Sequence, residues 1–121
     1  YNVGDRLIIN VDPSQKMFVY VFSWNSQDYE TVNVHRIFPN KYETAYIKKQ
    51  TTIPSSDYEL VMTLPNNYKE NKPIDEYLFV VMSKKQISFA EGYKFPSFNQ
   101  LLLRLDPYDT NVEIVGITIA K

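Results

Sequence analysis

The sequence predicts an all-β fold, an antiparallel β-sandwich of about seven strands with one short helix before the last strand. Short runs rich in β-branched and aromatic residues recur along the chain. Turn-forming glycine, proline, asparagine and aspartate separate these runs. Only one segment has helical periodicity, whereas a parallel sheet would need a helical crossover between most of its strands. The 121 residues fit one domain with one hydrophobic core, so we assign residues 1–121 to a single β-sandwich domain.

The first two predicted strands lie near the amino terminus. Residues 6–11 place Leu7, Ile9 and Val11 on one face. Residues 17–24 are apolar on both faces, which is typical of a central strand that is buried from two sides. A polar tip follows this run, so the sequence predicts a hairpin between it and the next strand.

The middle of the chain alternates strands with long connections. The partner strand of the hairpin is predicted at residues 31–38 and ends at Pro39, because proline cannot continue the hydrogen-bond ladder. A long connection follows over residues 41–49. Residues 51–53 predict a short edge strand, and residues 58–64 predict another strand by their alternation.

The carboxy-terminal part holds the only predicted helix. After an exposed polar loop at residues 66–73, residues 76–83 form a second two-sided apolar run, expected close to residues 17–24. Ser97 is the predicted N-cap of the helix, and Asp106-Pro107 is its predicted stop. The last strand is predicted at residues 112–119. The apolar positions of the helix follow i, i+3, i+4 and i+7 spacing: Phe98, Leu101, Leu102 and Leu105.

The charge and hydropathy of the sequence argue against a nucleic-acid partner and against membrane insertion. Thirteen basic and fourteen acidic residues leave a formal net charge of −1, so we expect no nucleic-acid partner. Apolar runs fall well short of the roughly 20 residues that span a bilayer, so we expect no direct membrane insertion. Because the chain begins at Tyr1 rather than methionine, we expect either a domain excised from a larger protein or a processed chain, and we favour the excised domain.

Residues and motifs that commonly take part in catalysis, metal binding or phosphate binding are scarce in the sequence. The sequence has no cysteine and a single histidine, His35, and it lacks a Gly-x-Ser-x-Gly elbow. Its three glycines are too far apart for a phosphate loop. We therefore predict a protein that is not an enzyme, with no catalytic residues, no metal site and no cofactor. The acidic repeats at Asp28/Glu30 and Asp57/Glu59 lack calcium-loop spacing, although a distant carboxylate pair for glycoside hydrolysis stays open as an alternative.

Tyrosine is the one residue type in compositional excess, with ten copies. Tyrosine rings can contact a sugar or a peptide through their apolar faces and hydroxyl groups. The candidate ligand-contact aromatics are Tyr42, Tyr46, Tyr68 and Tyr93. The simpler interpretation is that tyrosine suits half-buried β surfaces, and a coplanar exposed platform of two or more rings would distinguish the two.

The order of five motifs carries a family resemblance. They are Tyr1-x-Val3-Gly4-Asp5-Arg6-Leu7, Phe18-Val19-Tyr20-Val21-Phe22, Ile37-Phe38-Pro39-Asn40, Thr52-Ile53-Pro54 and the run at residues 77–83. In this order they resemble the bacterial domain-of-unknown-function family 4384, over nearly the whole chain. The resemblance implies an accessory domain of a bacterial envelope or secreted protein, hence an extracytoplasmic location in the periplasm, the cell envelope or the medium. It implies no catalytic residues.

Together these observations predict a noncatalytic accessory or interaction module of a bacterial envelope or secreted protein. The expected partners are other domains of the parent protein or a separate protein, met through a sheet edge or loop tips. The alternative is a carbohydrate-binding module that uses exposed tyrosines.

Overall fold

A computed structural model describes residues 1–12, 15–25, 27–28, 30–39, 44–53, 60–62 and 72–120. Within these ranges the chain forms ten strands and one helix. The predicted antiparallel β fold with a short helix before the last strand is confirmed, with more strands than the seven expected. The elements are β1 Arg6–Leu7, β2 Ile9–Val11, β3 Met17–Asn25, β4 Val34–Phe38, β5 Tyr46–Ile47, β6 Thr51–Ile53, β7 Leu60–Val61, β8 Ile74–Ser83, β9 Gly92–Tyr93, α1 Phe95–Leu103 and β10 Thr110–Ile119.

A six-stranded antiparallel sheet forms the middle of the fold. Its order is β10-β8-β3-β4-β9, and β5 pairs with the beginning of β3. β3 runs alongside β8 from Phe18 opposite Ser83 to Asn25 opposite Glu76. The predicted hairpin of β3 with β4 and the predicted closeness of the two apolar runs are therefore both confirmed. β10 lies at one end of this order.

Two small antiparallel sheets cover one face of the central sheet. We predicted one strand over residues 6–11, which was wrong: β1 pairs with β7, β2 pairs with β6, and Ile8 lies exposed between them. Because the two short strands have different partners, the chain changes sheets at Ile8. Val11 and Ile53 pack with β3 residues, and Leu7 packs with residues of β8 and β10.

Helix α1 covers the opposite face. Phe98 is fully buried, and its ring centroid lies 4.7 Å from that of Phe22 and 5.3 Å from that of Phe79. Phe89, in the segment that precedes the helix, packs edge-on against Phe22 at 5.0 Å. The sheet is thus buried on both faces near β3 and β8, as their two-sided apolar sequences predicted.

The helix begins earlier than its sequence suggested. Ser97 is not the N-cap, because α1 begins at Phe95 with Lys94 at the N-cap position and no side-chain capping hydrogen bond. Pro96 lies in the first turn, where its fixed φ favours helix initiation and its missing N–H is not needed. The helix ends at Leu103, before the predicted last turn.

The sequence missed two short strands, and one predicted loop lies mostly outside the described residues. β5 lies inside the predicted long connection, and β9 precedes the helix; both have only two residues, too few for a periodic pattern. β7 confirms the predicted strand at residues 58–64 within its described part. Most of the predicted loop at residues 66–73 lies outside the described residues.

Candidate functional site

Two of the four candidate tyrosines can be placed. Tyr42 and Tyr68 lie outside the described residues. Tyr46 is half-buried on β5, with its ring centroid 5.0 Å from that of Phe18 and the Lys48 Nζ atom 5.8 Å from its ring. Tyr93 is half-buried on β9, and its hydroxyl accepts a 2.7 Å hydrogen bond from the backbone N–H of Ala90.

The two placed tyrosines belong to different ends of the sheet. Tyr46 pairs with Phe18 at the beginning of β3, whereas Tyr93 pairs with Val34, which faces Trp24 near the end of β3. Six residues of an extended strand separate these ends by roughly 20 Å. Tyr46 and Tyr93 therefore do not share one platform, and sugar binding by the four tyrosines stays a prediction.

A stack of three aromatic rings joins the sheet to the helix. The Trp24 ring lies on the Phe95 ring with 3.8 Å between centroids and 12° between planes. The Tyr77 ring lies 5.5 Å from that of Trp24 at 30°. Because these rings cover one another instead of facing solvent side by side, we interpret the stack as packing. The Trp24 Nε1 atom is buried and has no hydrogen-bond partner among the described residues. The sequence did not indicate the stack, since it depends on the pairing of β3 with β8 and on the helix position.

Glu76 is the one acidic side chain whose environment shifts its pKa clearly among the described residues. It lies on the sheet face covered by the small sheets, opposite Asn25 on β3 and Ile117 on β10. Burial raises the pKa of its carboxyl group, and a hydrogen bond with Ser23 counteracts part of this increase. The neighbouring Asp75 points to the other face and accepts a 2.9 Å hydrogen bond from the Thr118 hydroxyl. These adjacent carboxyl groups therefore do not form an acid–base pair.

The other polar candidates have ordinary structural positions. His35 is exposed on β4. The Asp28 carboxylate accepts a 3.0 Å hydrogen bond from the backbone N–H of Glu30 and so supports a turn. Asp57 and Glu59 lie outside the described residues. Within the described ranges, no group of three or more His, Cys, Asp or Glu side chains could hold a metal ion.

Strand β10 has the largest exposed apolar side chains of the sheet. Ile114 is 61% exposed and Val115 is 45% exposed. Their side chains point to opposite faces, since Ile114 is level with Phe79 and Val115 with Leu78. Only Ile119 is fully buried in this ten-residue strand. β10 therefore presents apolar surface on both faces of the sheet.

The backbone of β10 also has an outer edge, on the side away from β8. The backbone oxygen of Asp109 accepts from Lys84 N–H, on the side of β8. Alternate residues of a strand direct N–H and C=O to the same side, so the odd-numbered residues face β8 and the even-numbered ones face outward. Among the described residues, no strand pairs with this outer edge.

Both ends of the outer edge are occupied. At one end, Thr110 N–H donates to the Asp106 oxygen at 2.9 Å. At the other, the Thr118 oxygen accepts from the Tyr1 nitrogen at 3.1 Å, and Ala120 exchanges hydrogen bonds with the segment at residues 1–3. Between these ends, the outward N–H and C=O groups of Val112, Ile114 and Gly116 have no backbone partner in the part of the chain that the structure describes. We call these three residues the open edge.

Comparison with known proteins gives one match. Neither a curated protein nor a solved structure matches the chain. No helix of the described part is both long and apolar enough to cross a membrane. The family model described as "Domain of unknown function (DUF4384)" matches residues 1–74. This match contains the first four motifs of the predicted resemblance and ends at the first residue of β8, so most of β8 and all of β9, α1 and β10 lie beyond it. Because the match covers more than half of the 121 residues, the chain belongs to the DUF4384 family.

Proposed function

We propose that this domain is a noncatalytic interaction module that binds a protein partner through the open edge of β10. The observation that carries the proposal is that no strand among the described residues pairs with the outward backbone groups of β10, which lie beside the exposed Ile114 and Val115. An extended partner segment can add to such an edge as a further strand, because its own N–H and C=O groups complete the ladder. Apolar side chains on both faces then pack against those of the added strand.

β10 lacks the protection that exposed edges usually have. Natural proteins guard an edge strand with short length, charged side chains, proline or a bulge. β10 has ten residues, its only charged residue is Glu113, and it contains no proline. Its pairing with β8 runs without a shift of register from Thr110 to Ile119. By contrast β9, at the other end of the strand order, has only two residues.

The finer part of the proposal concerns context. We propose that the domain is an accessory part of a larger envelope or secreted protein, and that its partner is another domain of that protein or a separate protein. The support is membership of the DUF4384 family and what the resemblance implies. An alkaline phosphatase reporter fused to the intact protein tests the location, since activity is expected only outside the cytoplasm. An inactive fusion, measured beside a control fusion that is exported and active, contradicts the proposed location.

Photo-crosslinking in cells tests the binding surface. A photoreactive phenylalanine analogue replaces Val115, whose side chain lies beside the open edge without blocking its backbone groups. A matched chain carries the analogue at Leu103, which is 78% exposed on α1. We expect an adduct to a defined protein segment, identified by mass spectrometry, from position 115 and not from position 103. Equal adducts at both positions, or none at 115, would contradict the proposal.

A further inference from the structure

We propose that the strand added to the open edge is β10 of a second copy of this chain, in antiparallel orientation and centred on Ile114. This inference rests on the proposed function and names its partner. A twofold axis through Ile114 would join two central sheets into one continuous sheet, because a twofold contact uses the same surface on both copies.

The positions of the occupied groups determine the register. In an antiparallel pair, residues that direct N–H and C=O toward each other lie directly opposite and exchange two hydrogen bonds. The open edge consists of Val112, Ile114 and Gly116. One register uses all three residues of both copies: Ile114 opposite Ile114, and Val112 opposite Gly116 on either side of the axis.

Neighbouring registers are less favourable. Moving the axis to Glu113 places the two Glu113 carboxylates directly opposite each other, and like charges in that position destabilise a pair. Moving it to Val115 places Val112 opposite Thr118, whose oxygen already accepts from Tyr1. With the axis at Ile114, Glu113 lies opposite Val115 and the two carboxylates are only diagonal neighbours.

The side chains near the axis suit this arrangement. Ile114 of each copy packs against its equivalent on the helix side of the sheet, where it is now 61% exposed. Gly116 has no side chain, so Val112 of the second copy can approach the Tyr77 ring beside it; a Cβ atom at Gly116 would lie 3.7 Å from that ring. On the other face, the aliphatic part of Glu113 of the second copy packs against Val115.

Cysteine cross-linking tests the register. The chain has no cysteine, so Ile114→Cys introduces a single thiol. Opposite residues in a hydrogen-bonded pair have Cα atoms about 5.5 Å apart, within the roughly 4.4–6.8 Å range of disulfides. We expect mild oxidation to give a covalent dimer. In the control Val112→Cys, the two thiols are four residues out of register, about 13 Å apart, and we expect no covalent dimer. Equal cross-linking of both variants, or none at position 114, would overturn the register.

Sedimentation equilibrium separates this inference from the proposed function. We expect the chain to dimerise reversibly, and Ile114→Lys to weaken dimerisation by about tenfold or more, because it places two ammonium groups opposite each other. Near-ultraviolet circular dichroism shows whether the variant keeps its fold. A chain that stays monomeric at millimolar concentration overturns the second copy as partner. If position 115 still cross-links to a different protein, the proposed function stands and only this inference fails.

Discussion

Strands β3 and β10 have similar lengths and similar β-forming sequences, yet they have opposite environments. β3 pairs with β8 on one side and with β4 and β5 on the other, and buried clusters cover both of its faces. Among the described strands, β10 pairs along its length only with β8, and its middle residues are exposed on both faces. The apolar side chains of β3 are therefore part of the core. Two apolar side chains of β10, Ile114 and Val115, lie outside the core of a single copy.

The largest expected effect is on the free energy of unfolding, which should fall strongly for a substitution in β3 and little for one in β10. Phe22 on β3 is fully buried among Phe89, Phe98 and Tyr93, so Phe22→Ala should lower the free energy of unfolding by about 3–5 kcal/mol. Ile114→Ala on β10 should change it by less than about 0.5 kcal/mol in dilute solution, as for other exposed sites. Urea unfolding measures both. Similar losses for the two variants would show that Ile114 belongs to the core.

A smaller effect on stability is expected at two glycines, Gly4 and Gly116, which flank the contact between residues 1–3 and the end of β10. Gly4 has φ of +94°, a conformation that costs an L-residue about 1–2 kcal/mol, so Gly4→Ala should destabilise the fold by that amount. At Gly116 an added Cβ meets only the Tyr77 ring at ordinary contact distance. Gly116→Ala should therefore stabilise a single copy by about 0.4–1 kcal/mol, through the reduced entropy of the unfolded chain. Thermal unfolding of both variants in dilute solution checks the opposite signs, and a destabilised Gly116→Ala variant would contradict the open surroundings of this residue.

The smallest expected effect is the pH dependence of stability that comes from the carboxyl group of Glu76, on the strand β8 between β3 and β10. Glu76 faces Asn25 on β3 and Ile117 on β10, and its folded-state pKa is raised above its ordinary value of 4.5 by burial. The folded state therefore holds this proton over a pH range in which the unfolded state has lost it, so stability should fall as the pH rises from 4.5 through the raised pKa.

The matched variant for this prediction is Glu76→Gln. It removes the ionisable group while it keeps an acceptor for Ser23, so its unfolding free energy should exceed that of the parent at pH 7 and approach it below pH 4. Unfolding curves across this pH range give the difference between the two chains. A difference that does not vary with pH would show that the carboxyl group is as well solvated when folded as when unfolded.

The sequence predicted what depends on local pattern. The two-sided runs of β3 and β8 and the alternation of β10 specify long strands, and the spacing of Phe98, Leu101 and Leu102 specifies a helix. It failed where distant partners decide the outcome. The break at Ile8 arises because β1 and β2 join different strands, and β5 is defined only by its pairing with β3. The open edge was equally hidden, since alternation does not show which side of a strand lacks a neighbour.

Hydrogen–deuterium exchange along β10 tests most directly whether its outer edge accepts a strand. The amides of Val112, Ile114 and Gly116 face outward, whereas those of Glu113 and Val115 face β8. As the chain concentration rises from micromolar to millimolar, exchange at the three outward amides should become slower, and exchange at the two inward amides should stay unchanged. Outward amides that exchange at the same rate at every concentration, with partner proteins absent, would contradict strand addition between copies. Outward amides already protected in dilute solution would show that the edge is not open.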